Sequence, residues 1–432
     1  MICNNITKDS RGKLYFAGMD VSDLAKSFGT PLYLFDEERI RSNCRVYTEA
    51  MKKYFPQGSS VCYASKAASF AEIYRIAMQE GMCVDVVSRG EIYTALKAGF
   101  PLKRAFFHSN NKTDEDIAFA IERGIGYFVC DCEEELLFIS SVAKERNITQ
   151  KVILRLTPGI DPHTYEAVAT GKVDSKFGSA IETGQAFDIT RTALSLEGVE
   201  LCGFHCHVGS QVFDSTVFFD AAKIMLEYVA RVKAELGYEA EILDLGGGYG
   251  VRYVEDDPFI DIGDNLRLVS EFVADLCKKL SLKLPKIHME PGRSIVADAG
   301  MTLYTVGSVK RIPGYKNYVS IDGGMTDNPR FALYGSKYTV LCPDKMNEEN
   351  TFSCDLVGRC CESGDVIQES IKLPATVKRG DLIAVCTTGA YNYSMASNYN
   401  RLPRPAIVMI RDKSARVVVE RESLEDIVRL DK

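Results

Sequence analysis

Eight short apolar runs, most of them rich in β-branched or aromatic residues and interspersed with stretches of helical spacing, constrain this chain more than any other feature of its sequence. In order they are SVCYA (60–64), CVDVV (83–87), RAFFH (104–108), GYFVC (126–130), KVILRL (151–156), LCGFHCHV (201–208), EILDL (241–245) and KIHME (286–290). Runs this short and this apolar fit strands buried on both faces, and their repetition with intervening helices is the pattern of βα units in a parallel sheet. Helical periodicity is clearest in FAEIYRIAMQEG (70–81), GEIYTALKAGF (90–100) and FFDAAKIMLEYVARVKAELG (218–237), and RIRSNCRVYTEAMKKYF reads as a helix ahead of the first strand. Eight such units close naturally into a (β/α)8, TIM-like barrel, whose usual length of ~250 residues they match. On pattern alone an open doubly wound sheet is the alternative.

After Glu290 the spacing changes. MTLYTVGSVKRI, NYVSID, DLIAVCTT, PAIVMIRD and ARVVVE lack helical stretches between them and are separated by Gly and Pro turns, which reads as an antiparallel β domain. The early runs KLYFAG and PLYLFD are expected to add strands to it. With 432 residues the chain exceeds what one core usually holds. The expected organisation of this α/β chain is therefore N-terminal strands over 1–37 that join the β domain, a barrel over 38–290, and the C-terminal β domain over 291–432.

A formal net charge of -7 offers no basic stripe for nucleic acid. No apolar run reaches the ~18 residues a membrane helix needs, and the start MICNNITKDS has no apolar signal core. The fourteen cysteines follow neither a paired CxxC zinc spacing nor a short secreted framework, so they are read as reduced thiols of a cytoplasmic protein.

Barrels of this kind place their chemistry where the strands end. There the sequence has Lys66 in ASKAAS at the end of the first run, Asp85 on the second, His207 at the end of the sixth, Gly246 to Gly250 following the seventh, and Glu290, Pro291, Gly292 and Arg293 where the eighth ends. Glycines let backbone N–H groups approach an anion, and an adjacent arginine adds a charged fork, so LGGGYG with Gly247 and Gly248, together with EPGRS, forms a candidate phosphate cradle. The spacing lacks the GxGxxG dinucleotide fingerprint. Lys66 follows an apolar strand amid small residues, where partial desolvation would favour condensation with an aldehyde. An anion cradle, a lysine and the carboxylate of Glu290 are what a cofactor with a phosphate, an aldehyde and a pyridinium nitrogen requires. Each has a plainer reading: a tight turn, a solvated lysine, a structural salt bridge. His205 and His207 share a strand face and raise a metal-site rival, but with few further ligands no metal is expected; His207 fits better as a flat, neutral partner for a cofactor ring, with Ser210 near the phosphate and His205 as a core histidine.

Taken as an ordered series, YASKA (63–67), DVVSRGE (85–91), DPHTYEAVATGKVDSKFG (161–178), HCHVGSQ (205–211), DLGGGYG (244–250), EPGRS (290–294), PRFALYG (329–335), CESGD (361–365) and GAYNYSMASNYN (389–400) resemble the alanine-racemase-like pyridoxal-phosphate enzymes, and among them the diaminopimelate decarboxylase family, over nearly the whole chain. The resemblance implies a barrel with a β domain, pyridoxal 5'-phosphate as cofactor, and decarboxylation of meso-2,6-diaminopimelate to L-lysine. It implies that Lys66 carries the cofactor, that His207 stacks on it, and that Asp85, Ser210, Gly247, Gly248, Glu290, Gly292, Arg293 and Tyr391 bind it. It further implies substrate contacts from Arg293, Arg330, Tyr334, Glu362 and Tyr391, Cys361 as proton donor, and a homodimer in which the CESGD loop serves the partner's site. A substrate with an amino-acid group at each end agrees with this, since it needs arginine for the distal carboxylate and an acid for the distal ammonium. The departures are Arg89 where a glycine is expected, Tyr165 in place of a histidine, Ala68 and Ser69 after the lysine motif, and Phe331 after Arg330. Polyamine-pathway or basic amino-acid decarboxylases, and a non-catalytic cofactor-binding regulator, are the alternatives. The long segment from Pro158 to Gly178 is expected to act as a lid.

Overall fold

The computed structural model describes residues 1–160 and 174–432, and in it the eight runs are the eight strands of one closed parallel barrel. They are Ser60–Ala64, Cys83–Val86, Ala105–Phe107, Tyr127–Cys130, Gln150–Thr157, Val199–His205, Ile242–Asp244 and Lys286–Met289. Each pairs in parallel with the next, and His288 opposite Ser60 closes the ring, so no edge is left open. Helices Ala71–Gln79, Arg89–Lys97 and Thr216–Leu236 lie where the periodicity placed them, and Glu37–Tyr54 precedes the first strand. One pairing had no sequence signal: the two-residue strand Ser179–Ala180 adds to the fifth barrel strand.

Alternation along the strands decides what fills the barrel. Cys62, Phe106, Val129, Ile153, Cys202 and Ile242 form one buried apolar cluster drawn from six of the strands. Towards the C-terminal ends come buried Asp85, His108, His205, Asp244 and Glu290. A barrel interior is a packed core of branched apolar side chains, and a polar group in it is costly unless partnered. This polar end is where chemistry is to be sought.

The chain divides into two compact units, one of Asn43–Gly250 and Phe259–Gly292, the other of Met1–Ser42, Val251–Pro258 and Arg293–Lys432. In the second unit the main sheet runs in the order Val366–Pro374, Asn350–Val357, Asn317–Ile321, Gly300–Arg311, Leu32–Asp36, Ala406–Arg411, Ser414–Val419, and Leu382–Cys386 branches off Gly300–Arg311. Most pairs are antiparallel as expected, but Asn317–Ile321 with Asn350–Val357 and Leu32–Asp36 with Ala406–Arg411 run parallel, so the sheet is mixed. Partners so far apart in sequence are not joined by a hairpin, and only a hairpin would dictate an antiparallel direction. Leu14–Phe16 forms a separate small sheet with Ile6–Lys8 and Met19–Asp20, while Leu14, Phe16, Leu34, Met301 and Val408 share one core. The segment expected as a lid lies largely outside the described residues, as do His163 and Tyr165.

Candidate active site

Parallel strands bring all eight C-terminal ends to one rim. Lys66 sits there on a single 3₁₀ turn, Ser65–Ala67, directly after the first strand. Ser65 and Ala67 are buried and Lys66 is exposed, so it is the turn beneath the lysine, not the side chain itself, that is desolvated as the sequence reading expected of the lysine. Ser65 Oγ donates to the Asp85 carbonyl at 2.7 Å, tying this turn to the second strand.

Glu290, just past the eighth strand, is buried and held by two histidines. His205 Nε2 lies 3.0 Å from Oε2, and His108 Nε2 lies 2.8 Å from Oε1, though too poorly aligned for a hydrogen bond. Burial opposes ionisation of Glu290, but its histidine partners hold the carboxyl well below the usual range. Burial also pushes the His205 pKa down, towards the neutral form, so its share of that hold is a hydrogen bond more than a charge. Two neighbouring carboxyls go the other way: Asp85 is raised by burial, and Asp244 is raised well above its ordinary value by burial and by the charge of Glu290. The carboxyls here are thus pushed in opposite directions, Glu290 towards its charged form and Asp85 and Asp244 towards their protonated forms. The donor atoms of His108, His205 and Glu290 lie within 4.8 Å of one another, a spacing that also suits a cation, and so do those of Cys62, Asp244 and His288.

The glycine loop is fixed by packing. A Cβ on Gly247 would stand 2.1 Å from the Glu290 carbonyl oxygen, and one on Gly248, whose φ is 120°, would stand 2.4 Å from that of Gly209. Gly247 N–H donates to His207 Nδ1 at 3.3 Å, which requires an unprotonated Nδ1, and burial drives the His207 pKa well down. Gly246 N–H donates to Asp244 Oδ1 at 2.8 Å. Val212 N–H donates to the Gly248 carbonyl at 2.9 Å, joining this loop to the HVGSQ turn where Ser210 is half-buried. A Cβ on Gly292 would stand 3.0 Å from Ala64, whose N–H donates to the Pro291 carbonyl at 3.1 Å. The loops after strands one, six, seven and eight are therefore stitched together.

The barrel residues fit pyridoxal phosphate. Glu290 Oε1 and Asp85 Oδ1 are buried without a hydrogen-bond partner among the described residues, so an acceptor stands ready for a ring N–H donor.

The second unit holds a cationic cluster. Arg293 opens the short helix Arg293–Val296 and its Nη1 donates to the Tyr253 hydroxyl at 2.7 Å, with its guanidinium 4.9 Å from the Tyr391 ring centroid. Arg330 opens helix Arg330–Tyr334; its Nη1 donates to the Tyr338 hydroxyl at 3.0 Å and its guanidinium lies 5.2 Å from the Tyr253 ring. Both arginines are buried. Burial would raise the Tyr253 pKa, yet the two guanidiniums bring it below its ordinary value. Among the described residues no carboxylate pairs with Arg330. Tyr334 ends the same helix half-buried and joins none of these contacts. Tyr253 and Tyr338 were missed from sequence, having no motif of their own; the only hint was an aromatic residue shortly after the glycine loop.

Cys361 is exposed, and its N–H donates to Asn400 Oδ1 at 2.7 Å. Glu362 is exposed too, its carboxyl held below the usual value by the Gly364 N–H and the Ser363 hydroxyl. The departure at Arg89 is a surface matter: its guanidinium reaches Glu115 at 2.9 Å and Asp116 at 2.8 Å, linking the first turns of two neighbouring helices. Ala68 and Ser69 are absorbed locally, with the Tyr63 hydroxyl donating to the Ala68 carbonyl at 3.0 Å.

Residues 38–297 match the family described as pyridoxal-dependent decarboxylase, pyridoxal binding domain. The chain is 42% identical over 426 residues to the diaminopimelate decarboxylase of Bacillus subtilis, covering 98% of this chain and 96% of that one. It is 43% identical over 424 residues to that of Staphylococcus aureus, covering 97% and 98%. Among solved structures, the diaminopimelate decarboxylase of M. jannaschii in complex with L-lysine superposes with a TM-score of 0.91 at 34% identity, covering 99% of this chain and 98% of that one.

Proposed function

The chain belongs to the pyridoxal-dependent decarboxylases and, among them, to the diaminopimelate decarboxylases, and from that premise we propose how its own residues carry the reaction. That reaction is the decarboxylation of meso-2,6-diaminopimelate to L-lysine and carbon dioxide, a carboxy-lyase step of lysine biosynthesis that uses pyridoxal 5'-phosphate. When bound, the cofactor supplies an aldehyde that condenses with amines and a protonated ring that draws electrons from the carbon losing carbon dioxide.

Lys66 supplies the amine that the substrate replaces. Glu290, with Asp85 beside its histidine partners, holds the proton on the ring nitrogen. His207, neutral and tied to Gly247, is the flat partner for the ring. Ser210, Gly247, Gly248, Gly292, Arg293 and Tyr391 take the phosphate end. Arg293 and Arg330 bind the distal carboxylate, Glu362 the distal ammonium, and Tyr334 and Tyr391 complete the substrate contacts. Cys361 returns a proton to the α-carbon after carbon dioxide leaves. Support for choosing it over its neighbour is that Cys360 is half-buried with its thiol pushed up to about 12 by burial and by Asp365, whereas Cys361 is exposed.

One observation carries the substrate reading: two buried guanidiniums, Arg293 and Arg330, converge on the single phenol of Tyr253. A substrate with a carboxylate at its far end needs such an anion site, while ornithine or arginine offers only a distal cation. The protein works as a homodimer with Lys66 and Cys361 of different chains at each site, a reading supported by the exposure of Cys361 and Glu362. The cytoplasm is its setting, in keeping with fourteen cysteines that are all free thiols. Incubation with cofactor and meso-diaminopimelate is expected to yield lysine and carbon dioxide. Carbon dioxide from ornithine, arginine or carboxynorspermidine, with none from diaminopimelate, would reject the reading. A protein lacking a cofactor absorbance that borohydride shifts would point to the regulator instead.

A further inference from the structure

The loop that carries Cys361 and Glu362 closes around one side chain. Asp365 is 4% exposed. Its Oδ2 accepts from the Cys360 N–H at 2.7 Å and its Oδ1 from the Met325 N–H at 2.6 Å. Its own N–H donates to the Glu362 carbonyl at 3.2 Å, and its carbonyl accepts from the Gly358 N–H at 3.0 Å. A single residue thus ties the start, middle and end of the loop, and binds the whole to the Gly324–Met325 turn.

The space around this carboxylate is made by glycine. A Cβ on Gly358 would stand 2.2 Å from Oδ2 and 2.3 Å from Oδ1, and one on Gly324 would stand 2.6 Å from both. Neither glycine has the positive φ that would itself demand glycine, so room for the carboxylate is the reason these positions lack a side chain. Among the described residues no lysine or arginine pairs with Asp365 within salt-bridge distance, so N–H groups do the work of solvating it. The second anchor is Asn400, whose Oδ1 accepts from Cys361 N–H itself at 2.7 Å. Its φ of 53° lies in the left-handed region, which Asn tolerates better than most residues.

We propose that Asp365 and Asn400 are positioning residues for Cys361, fixing the backbone on both sides of its thiol so that its proton is delivered at a set place on the substrate. This rests on Cys361 being the proton donor. Asp365→Asn replaces one acceptor oxygen by an amide NH₂ that faces an N–H. Asn400→Gly removes an acceptor without straining the left-handed backbone, and Asn400→Asp keeps it.

The experiment is a double-mutant cycle on the holoenzyme with Cys361→Ala, reading kcat, cofactor loading and thermal midpoint. Asp365→Asn and Asn400→Gly are expected to lower kcat roughly tenfold or more, as small misplacements of a reacting group do, with cofactor loading unchanged. Asn400→Asp should stay near wild type, and neither damaging variant should lower the residual kcat of Cys361→Ala any further. Equal fold-losses in both backgrounds would mean general structural damage and overturn the proposal, as would an undiminished kcat in the wild-type background. If Asp365→Asn does not fold, Gly324→Ala, which presses a methyl on the same carboxylate, enters the same cycle. Full activity of Cys361→Ala alone would instead remove the proton-donor assignment on which the inference stands.

Discussion

A carboxylate buried in a barrel stays ionised only where neighbours stabilise its charge, and Glu290 has His108 and His205 for that purpose. The role proposed for Glu290 asks for an anion opposite a ring nitrogen, and an amide there would leave the ring less able to hold its proton. Glu290→Gln, of nearly the same shape, should therefore retain the fold and the cofactor while kcat falls on the order of a hundredfold. Steady-state kinetics beside an absorbance spectrum checks this; a loss of cofactor instead would assign Glu290 to binding. Lys66→Ala should leave no cofactor fixed to the chain by borohydride, which mass spectrometry of the reduced protein reads directly.

Among the elements, the glycine loop after strand seven leaves no room for a side chain at Gly246, Gly247, Gly248 or Gly250. Gly247→Ala would force a methyl to within 2.1 Å of the Glu290 carbonyl oxygen, where backbone and not a flexible side chain must yield. A cost of about 2 kcal/mol or more is expected, seen as a lower denaturation midpoint together with weaker cofactor retention. The turn before the Arg330 helix has a pH signature. Asp327 is buried, accepts from the Tyr304 hydroxyl at 2.5 Å and from the Gly324 N–H at 3.0 Å, and burial lifts its pKa from 3.8 to about 7. Between those two values the folded state keeps a proton that the unfolded state has lost. Its contribution to stability is thus fully present below pH 3.8 and is lost as pH rises towards about 7, with a slope of at most ~1.4 kcal/mol per pH unit. Asp327→Asn mimics the protonated acid and should flatten the stability profile across that window, measured by denaturant titration at several pH values. An unchanged slope would mean that other groups set it.

For the whole molecule, the proposed homodimer with shared sites makes a quantitative prediction. Lys66→Ala and Cys361→Ala proteins should each be nearly inactive, yet after mixing in equal amounts with full subunit exchange they should recover up to about a quarter of wild-type activity, because a heterodimer holds one intact site. Recovery absent despite demonstrated exchange would place both groups at one chain's own site.

The barrel was legible because its signal is local. Each of the eight runs, from SVCYA to KIHME, carries its own apolar pattern, and eight in series leave few architectures open. Lys66, Glu290 and the glycines of LGGGYG were legible for a related reason, since they lie at strand ends where a parallel barrel must gather them. The partners that give these groups their properties were not. Nothing near Glu290 in sequence announces His108 or His205, and nothing near Arg293 announces Tyr253, since strand closure and chain recruitment bring them together from distant positions. The mixed direction of the second sheet was hidden likewise, because the pairing of Leu32–Asp36 with Ala406–Arg411 is set by long-range packing and by no turn. Local periodicity determined which elements exist and which residues stand at their ends. Burial and proximity, which decide whether an acid is charged, a histidine neutral or a glycine obligatory, belong to the three-dimensional arrangement alone.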